Sequence, residues 1–150
     1  MEELSNGYVE QLNKFSTISI VPKGNSMYPT LKNKGQSVIL KKKTERLVKM
    51  DMALYVRNNG TCVLHRVIEV KDDGYVFCGD GRWEEEFVFE NQVIGVVTEY
   101  YRGNKLIKVT DTTRKKAQKF FDKKFLRKLR VKPFLFYCRV KGKLKRIFKK

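Results

Sequence analysis

One serine, the chain's single histidine and an aspartate behind a glycine occur in an order that could support nucleophilic catalysis. Ser26 lies in Gly24-Asn25-Ser26-Met27-Tyr28-Pro29-Thr30-Leu31, His65 in Leu64-His65-Arg66-Val67, and Asp80 in Cys78-Gly79-Asp80-Gly81. A serine hydroxyl is a poor nucleophile until a base takes its proton. An imidazole suits that task because it titrates near neutrality. A carboxylate behind the ring would hold its tautomer and stabilise the imidazolium. Gly24 permits tight backbone geometry and Pro29 restricts it, so the hydroxyl is expected on a turn. Spacing alone also allows Ser26 to cap that turn, His65 to fill a sheet face and Asp80 to close a loop.

The elements that must position these groups read as short strands. Residues 2–14 suit one short helix, which Gly7 weakens. Strands are expected over 15–21, 37–41, 52–57, 61–70, 75–78, 87–89, 92–101 and 106–109, with a connector over 44–51 and irregular chain over 82–86. Turn signals fall between them at Lys32-Asn33-Lys34-Gly35, Asn58-Asn59-Gly60, Lys71-Asp72-Asp73-Gly74 and Arg102-Gly103-Asn104-Lys105. Asn and Gly tolerate positive φ, which favours hairpins at such sites. The fold class is therefore mainly β, an antiparallel sheet with a short N-terminal helix.

The second hairpin has a geometric consequence. A tip at Asp72-Asp73 sets His65 opposite Asp80; a tip at Asp73-Gly74 sets His65 opposite Arg82, with Asp80 as a diagonal neighbour. Opposed Cβ atoms lie about 4.5–5.5 Å apart and diagonal ones about 7–8 Å. Either register puts the imidazole and the carboxylate on one face, whereas a slip of one residue would separate them.

Bulk properties narrow the class. The 150 residues suit one compact domain with an appendage, and 41% hydrophobic content suffices for a modest core. No apolar run approaches the roughly 20 residues that span a bilayer. The N-terminus, Met1-Glu2-Glu3-Leu4-Ser5, is acidic and polar rather than a secretory signal. A cytoplasmic protein is expected. Cys62, Cys78 and Cys138 form no CxxC pair and have one histidine to join them, which argues against a zinc site and a disulfide framework. They read as reduced thiols, and no metal or other cofactor is expected.

The local wording around the three residues resembles the conserved boxes of type I signal peptidases and the wider superfamily that includes the self-cleaving domain of LexA-type repressors. Gly24 to Leu31 resembles the nucleophile box, Val48 to Tyr55 the following strand, and His65-Arg66-Val67-Ile68 the box of the general base. Gly79-Asp80-Gly81 resembles the last box and Val93 to Val97 the closing strand. His-Arg in place of Lys-Arg is similar to the endoplasmic-reticulum and archaeal branch. The likeness covers about residues 21–101 and is that of a soluble bacterial member without a transmembrane anchor. It implies a coiled antiparallel β fold and a shallow groove where an extended peptide adds to a strand edge. It also implies that Ser26 is the nucleophile, His65 the general base and Asp80 its orienting carboxylate, with the Ser26 N–H in the oxyanion hole. Met27, Tyr28 and Pro29 are then candidate substrate-binding residues, although Met27 reads first as a buried gap-filler near the groove and Tyr28 equally as an ordinary partly buried aromatic. The chain departs from the family pattern at Gly24 (often serine), at Gly35-Gln36 (usually Gly-Asp), at Gly81 (usually asparagine), and after Asp80, where Glu84, Glu85 and Glu86 replace a second aspartate, so that either Asp80 or one of these glutamates would support His65.

The net charge of +17 is lopsided. From Asp111 onward there are 17 Lys and Arg against 2 acids. Residues 1–110 thus read as a nearly neutral catalytic β domain and 111–150 as a basic amphipathic helical tail. Ala117, Phe121, Phe125 and Leu129 recur at i+4 steps over 114–131, and Pro133 is expected to end that helix. Residues 114–150 suit an anionic membrane surface, holding the protein at the inner face of the membrane, more than nucleic acid. Docking of the apolar stripe on the body is a third reading. The functional expectation is a serine endopeptidase cleaving an extended segment of a protein or peptide; the alternative is a non-catalytic protein on the same fold that binds peptides, membranes or nucleic acid.

Overall fold

The computed structural model describes residues 2–32, 35–129, 131 and 133, with side chains from residue 7 onward. The element order is helix α1 (Glu2–Phe15), strands β1 (Thr17–Ile20), β2 (Val38–Lys42), β3 (Met52–Val56), β4 (Cys62–Val70), β5 (Gly74–Cys78), β6 (Glu85–Phe89), β7 (Val93–Arg102) and β8 (Lys105–Lys108), then helix α2 (Asp111–Phe121). The eight strands form one open antiparallel sheet in the order β1-β2-β7-β3-β4-β5-β6, with β8 added to β7. The mainly β expectation holds.

Three hairpins, β3–β4, β4–β5 and β7–β8, form where turn chemistry places them. Gly60 adopts a φ of 76° and Gly103 one of 64°, in the left-handed region that glycine enters without steric cost. Arg57 N–H donates to the Thr61 carbonyl at 3.0 Å, closing the β3–β4 hairpin. Lys71 N–H donates to the Gly74 carbonyl at 2.9 Å, closing β4–β5. Element ends move by a few residues. Phe15 ends α1 instead of starting a strand, because Ser16 reverses the chain at a φ of 59°. Glu85 and Glu86, expected in irregular chain, begin β6.

Side-chain alternation in β3 explains the two core clusters. Met52 and Leu54 join Val38, Leu40, Leu64 and Val97 on one face, whereas Ala53 and Tyr55 join Val67, Tyr75, Phe77 and Val88 on the other. α1 covers the first face through Leu12, which is 1% exposed and would meet a Cβ on Gly95 at 3.1 Å. α2 packs with Ala117 and Phe121 against a third cluster of Met50, Ile68 and Cys78. It is tied down by Arg114 Nε to Asp51 at 2.7 Å and by Lys49 to Asp122.

The basic tail is not one helix. α2 stops at Phe121, a new helical run occupies 124–129, and 131 and 133 are also helical. An interruption therefore lies at 122–123, ahead of Pro133, and the chain that would show whether the helix ends at Pro133 lies outside the described residues. The basic and aromatic pieces expected over 134–150, and Cys138 among them, lie outside the described residues.

Leu12→Ala should remove the contact that holds α1 to the sheet and leave a cavity beside Gly95. A loss of about 2–4 kcal/mol in urea unfolding is expected.

Candidate active site

Ser26 sits in a turn that Gly24 opens with a φ of 91°. Tyr28 N–H donates to the Asn25 carbonyl at 3.1 Å and Leu31 N–H to the Met27 carbonyl at 2.9 Å. The turn is seated on the loop after β5, where Gly81 N–H donates to the Ser26 carbonyl at 2.7 Å. No side chain fits between them. A Cβ on Gly79 would fall 2.6 Å from the Ser26 carbonyl oxygen and 3.0 Å from Nε2 of His65. One on Gly81 would fall 2.9 Å from the Asn25 carbonyl oxygen and 3.0 Å from that of Tyr28. The Ser26 backbone and the His65 ring thus abut the same glycine. Among the described residues, neither the Ser26 N–H nor its hydroxyl makes a hydrogen bond, so no hydrogen bond joins the hydroxyl to the imidazole.

The ring is held from its other nitrogen. Nδ1 of His65 lies 3.2 Å from the Tyr55 hydroxyl, which donates to Oε2 of Glu86 at 2.9 Å. Arg57 clamps that carboxylate with Nε at 2.7 Å and Nη2 at 2.6 Å. The phenol has one proton and gives it to Glu86, so Nδ1 must carry the imidazole proton and Nε2 is the basic nitrogen. Burial pushes the His65 pKa down to about 4; Glu86 opposes this, and Arg57 adds to it. His65 is therefore neutral at pH 7. The hydrogen bonds from Arg57 hold Glu86 below the usual carboxylate range. Burial, then the Glu86 charge, raises the Tyr55 hydroxyl and keeps it protonated.

Asp80 faces another group. Its two oxygens accept from Nε and Nη2 of Arg66, both at 2.7 Å, and one also accepts from the Thr30 hydroxyl. The pair is almost wholly buried, with side chains 5% and 1% exposed. A β-bulge explains why Asp80 does not back His65. Near the hairpin tip, Val70 pairs with Tyr75 and Glu69 with Val76, the register expected for an Asp72-Asp73 tip. Ile68 is then an extra residue, and Val67 pairs with Phe77 and Arg66 with Cys78. Continued one step, this sets His65 across from Gly79. A slip of one residue exchanges the faces, so Asp80 becomes a diagonal neighbour of Arg66.

Ser26 and Met27 line a cleft of about 380 Å³ between residues 20–24 and Gly60 to Leu64. Met27 is 4% exposed and also belongs to the core. Tyr28 and Pro29 face away from this cleft, into a separate cavity of about 550 Å³ beneath α2. His65 does not line the cleft. β4 pairs with β3 from Cys62 to Arg66 but with β5 only from Arg66 onward. Among the described residues, the edge of Cys62 to Leu64 toward the cleft is thus left unpaired.

Tyr55 and Arg57 were not among the sequence candidates, whereas Glu86 is one of the three glutamates that the sequence offered behind His65 in place of Asp80. The β3–β4 hairpin carried a signal for Tyr55: Ala53 pairs with His65, so Tyr55 is a same-face diagonal neighbour. Glu86 requires a second register, because it pairs with Phe77 across β5–β6. Among the described residues, no group of three His, Cys, Asp or Glu is arranged to hold a metal ion. Burial pushes the Cys78 thiol up to about 11, which leaves little thiolate at neutral pH. No known family model matches the sequence, and no curated protein is similar to it.

Asp80→Asn leaves the buried Arg66 charge uncompensated and should destabilise the fold by about 3–5 kcal/mol in chemical denaturation. The single histidine yields one imidazole resonance, whose NMR titration midpoint should lie near 4. The folded pKa is below the unfolded value of about 6.5, so the unfolded chain binds the proton first. The His65 contribution should be complete above that value and fall by about 3 kcal/mol as pH drops toward 4. His65→Asn should remove that part of the pH dependence.

Proposed function

We propose that this chain is a serine endopeptidase of the signal-peptidase-like type, with Ser26 as nucleophile and His65 as general base. The observation that carries the reading is the meeting of the Ser26 carbonyl and His65 Nε2 on Gly79, with the opposite ring nitrogen bound to Tyr55. An extended peptide would add to the unpaired edge of Cys62 to Leu64 and bring its scissile carbonyl to Ser26. The Ser26 hydroxyl would lose its proton to Nε2 as its oxygen attacks, and the free Ser26 N–H would donate to the oxyanion. The new imidazolium would be stabilised through Tyr55 by the Glu86 carboxylate, in the role that the resemblance gave to Asp80. His65 would then pass the proton to the leaving amine and activate water to release the acyl group. The coiled form of the fold is part of the same proposal.

One observation favours the alternative, a non-catalytic peptide-binding protein on the same sheet: the Ser26 hydroxyl makes no hydrogen bond to the ring. Apo catalytic contacts often tighten only with substrate bound.

The test is cleavage of a pool of unstructured peptides by the full chain, read by mass spectrometry. Cleavage with a Ser26-linked acyl intermediate is expected, with an acid limb of kcat/KM near pH 4. Ser26→Ala and His65→Ala should abolish it, and Tyr55→Phe should lower kcat by about 10–100-fold with KM little changed. Equal cleavage by Ser26→Ala, or peptide binding without turnover by the parent chain, would sink the peptidase reading.

A further inference from the structure

The helical run at 124–129 is turned inside out. Phe125 and Leu129, four residues apart and so on one side of a helix, are 71% and 54% exposed. Arg127 lies about 200° round from Phe125 and is 2% exposed. It points inward to an ion pair with Glu85 and donates to the Phe121 carbonyl at 2.6 Å. The apolar stripe read from the sequence is therefore divided at the interruption. Ala117 and Phe121 pack on the sheet, whereas Phe125 and Leu129 face solvent, with Phe120 55% exposed nearby in sequence. Lys115, Lys116, Lys119, Lys123 and Lys128 are exposed in the same stretch, and among the described residues none of the five forms an ion pair.

We propose that Phe125 and Leu129, with the lysines flanking them, form a docking surface for an anionic lipid bilayer. Charge selects the occupant. Seventeen cationic side chains against two acids from Asp111 onward repel a second copy of the chain and attract a negatively charged surface. The apolar residues separate a bilayer from nucleic acid. Phosphate neutralisation uses the lysines alone, and Leu129 has no aromatic face for a base to stack on. An interfacial helix uses both, with its apolar side chains in the acyl boundary and its cations among the headgroups. This surface is independent of the peptidase reading, because none of its residues belongs to the Ser26 or His65 networks.

The test uses the full chain with vesicles of phosphatidylcholine, with and without about one third phosphatidylglycerol. Co-sedimentation with the anionic vesicles is expected, with little on the neutral ones. Phe125→Trp should show an emission blue shift on anionic vesicles and none on a DNA duplex. Phe125→Ser with Leu129→Ser should weaken vesicle binding by about tenfold or more. Both residues are solvent-exposed, so unchanged thermal unfolding will confirm that this double variant is folded. The proposal is overturned if anionic vesicles bind no better than neutral ones. It is also overturned if the double variant binds them as tightly as the parent, or if the duplex competes the chain off the vesicles without loss of affinity in that variant.

Discussion

The buried pair of Arg66 and Asp80 is the junction on which the rest of the molecule depends. Removing two charges from water costs several kcal/mol each, and only good geometry with further hydrogen bonds offsets it. Here the guanidinium meets both carboxylate oxygens, donates from Nη1 to the Met50 carbonyl at 2.8 Å and lies 5.2 Å from the Phe121 ring centroid. Asp80 also receives the Thr30 hydroxyl. Four segments distant in sequence therefore converge on one ion pair: the Ser26 turn, the chain before β3, the loop after β5 and α2. Met50 shows how firmly they are held, since it keeps a φ of 75° while 1% exposed. A side chain with a Cβ rarely tolerates that region unless its surroundings over-determine it.

Adjacent residues on one strand serve two separate networks. Side chains alternate along β4, so His65 and Arg66 face opposite sides of the sheet. Arg66 enters the junction that seats the Ser26 turn, and His65 enters the series Tyr55, Glu86 and Arg57. One network is structural and the other sets which ring nitrogen bears the proton. Gly79 and Gly81 join them, because only residues without a Cβ let the Ser26 turn come down between the two sides. The depressed pKa of His65 follows from the same packing: the ring is largely enclosed, and the nearest carboxylate reaches it through a neutral phenol rather than directly.

α2 shows how a single amphipathic signal can be divided in space. The i+4 spacing of Ala117, Phe121, Phe125 and Leu129 describes one continuous stripe. Its first half has a surface to cover, the cluster of Met50, Ile68 and Cys78. Asp122 is drawn to Lys49 and the helix is interrupted there, after which Arg127 takes the inward position because Glu85 offers it a charge partner. An ion pair on the body thus decides which side of the second helical run faces out.

Much of this was legible in the residues themselves. The hairpin turns, the mainly β class, the register at the tip of β4–β5 and the charge asymmetry all follow from local chemistry: positive φ at Gly60 and Gly103, alternation along the strands, and the count of lysines after Asp111. Ser26 and His65 could be singled out for the same reason, since a turn-borne hydroxyl and a lone imidazole are visible without a fold. The partner of the imidazole could not be. One extra residue at Ile68 exchanges the faces of β4 relative to β5, and whether a strand bulges depends on the packing of both of its sides at once. Asp80 was thereby given to Arg66, and Tyr55 and Glu86, from two other strands, were brought to His65. Sequence determined which groups were present and where the chain would turn; tertiary packing decided which of them met, because the parity of a strand is a property of the whole sheet.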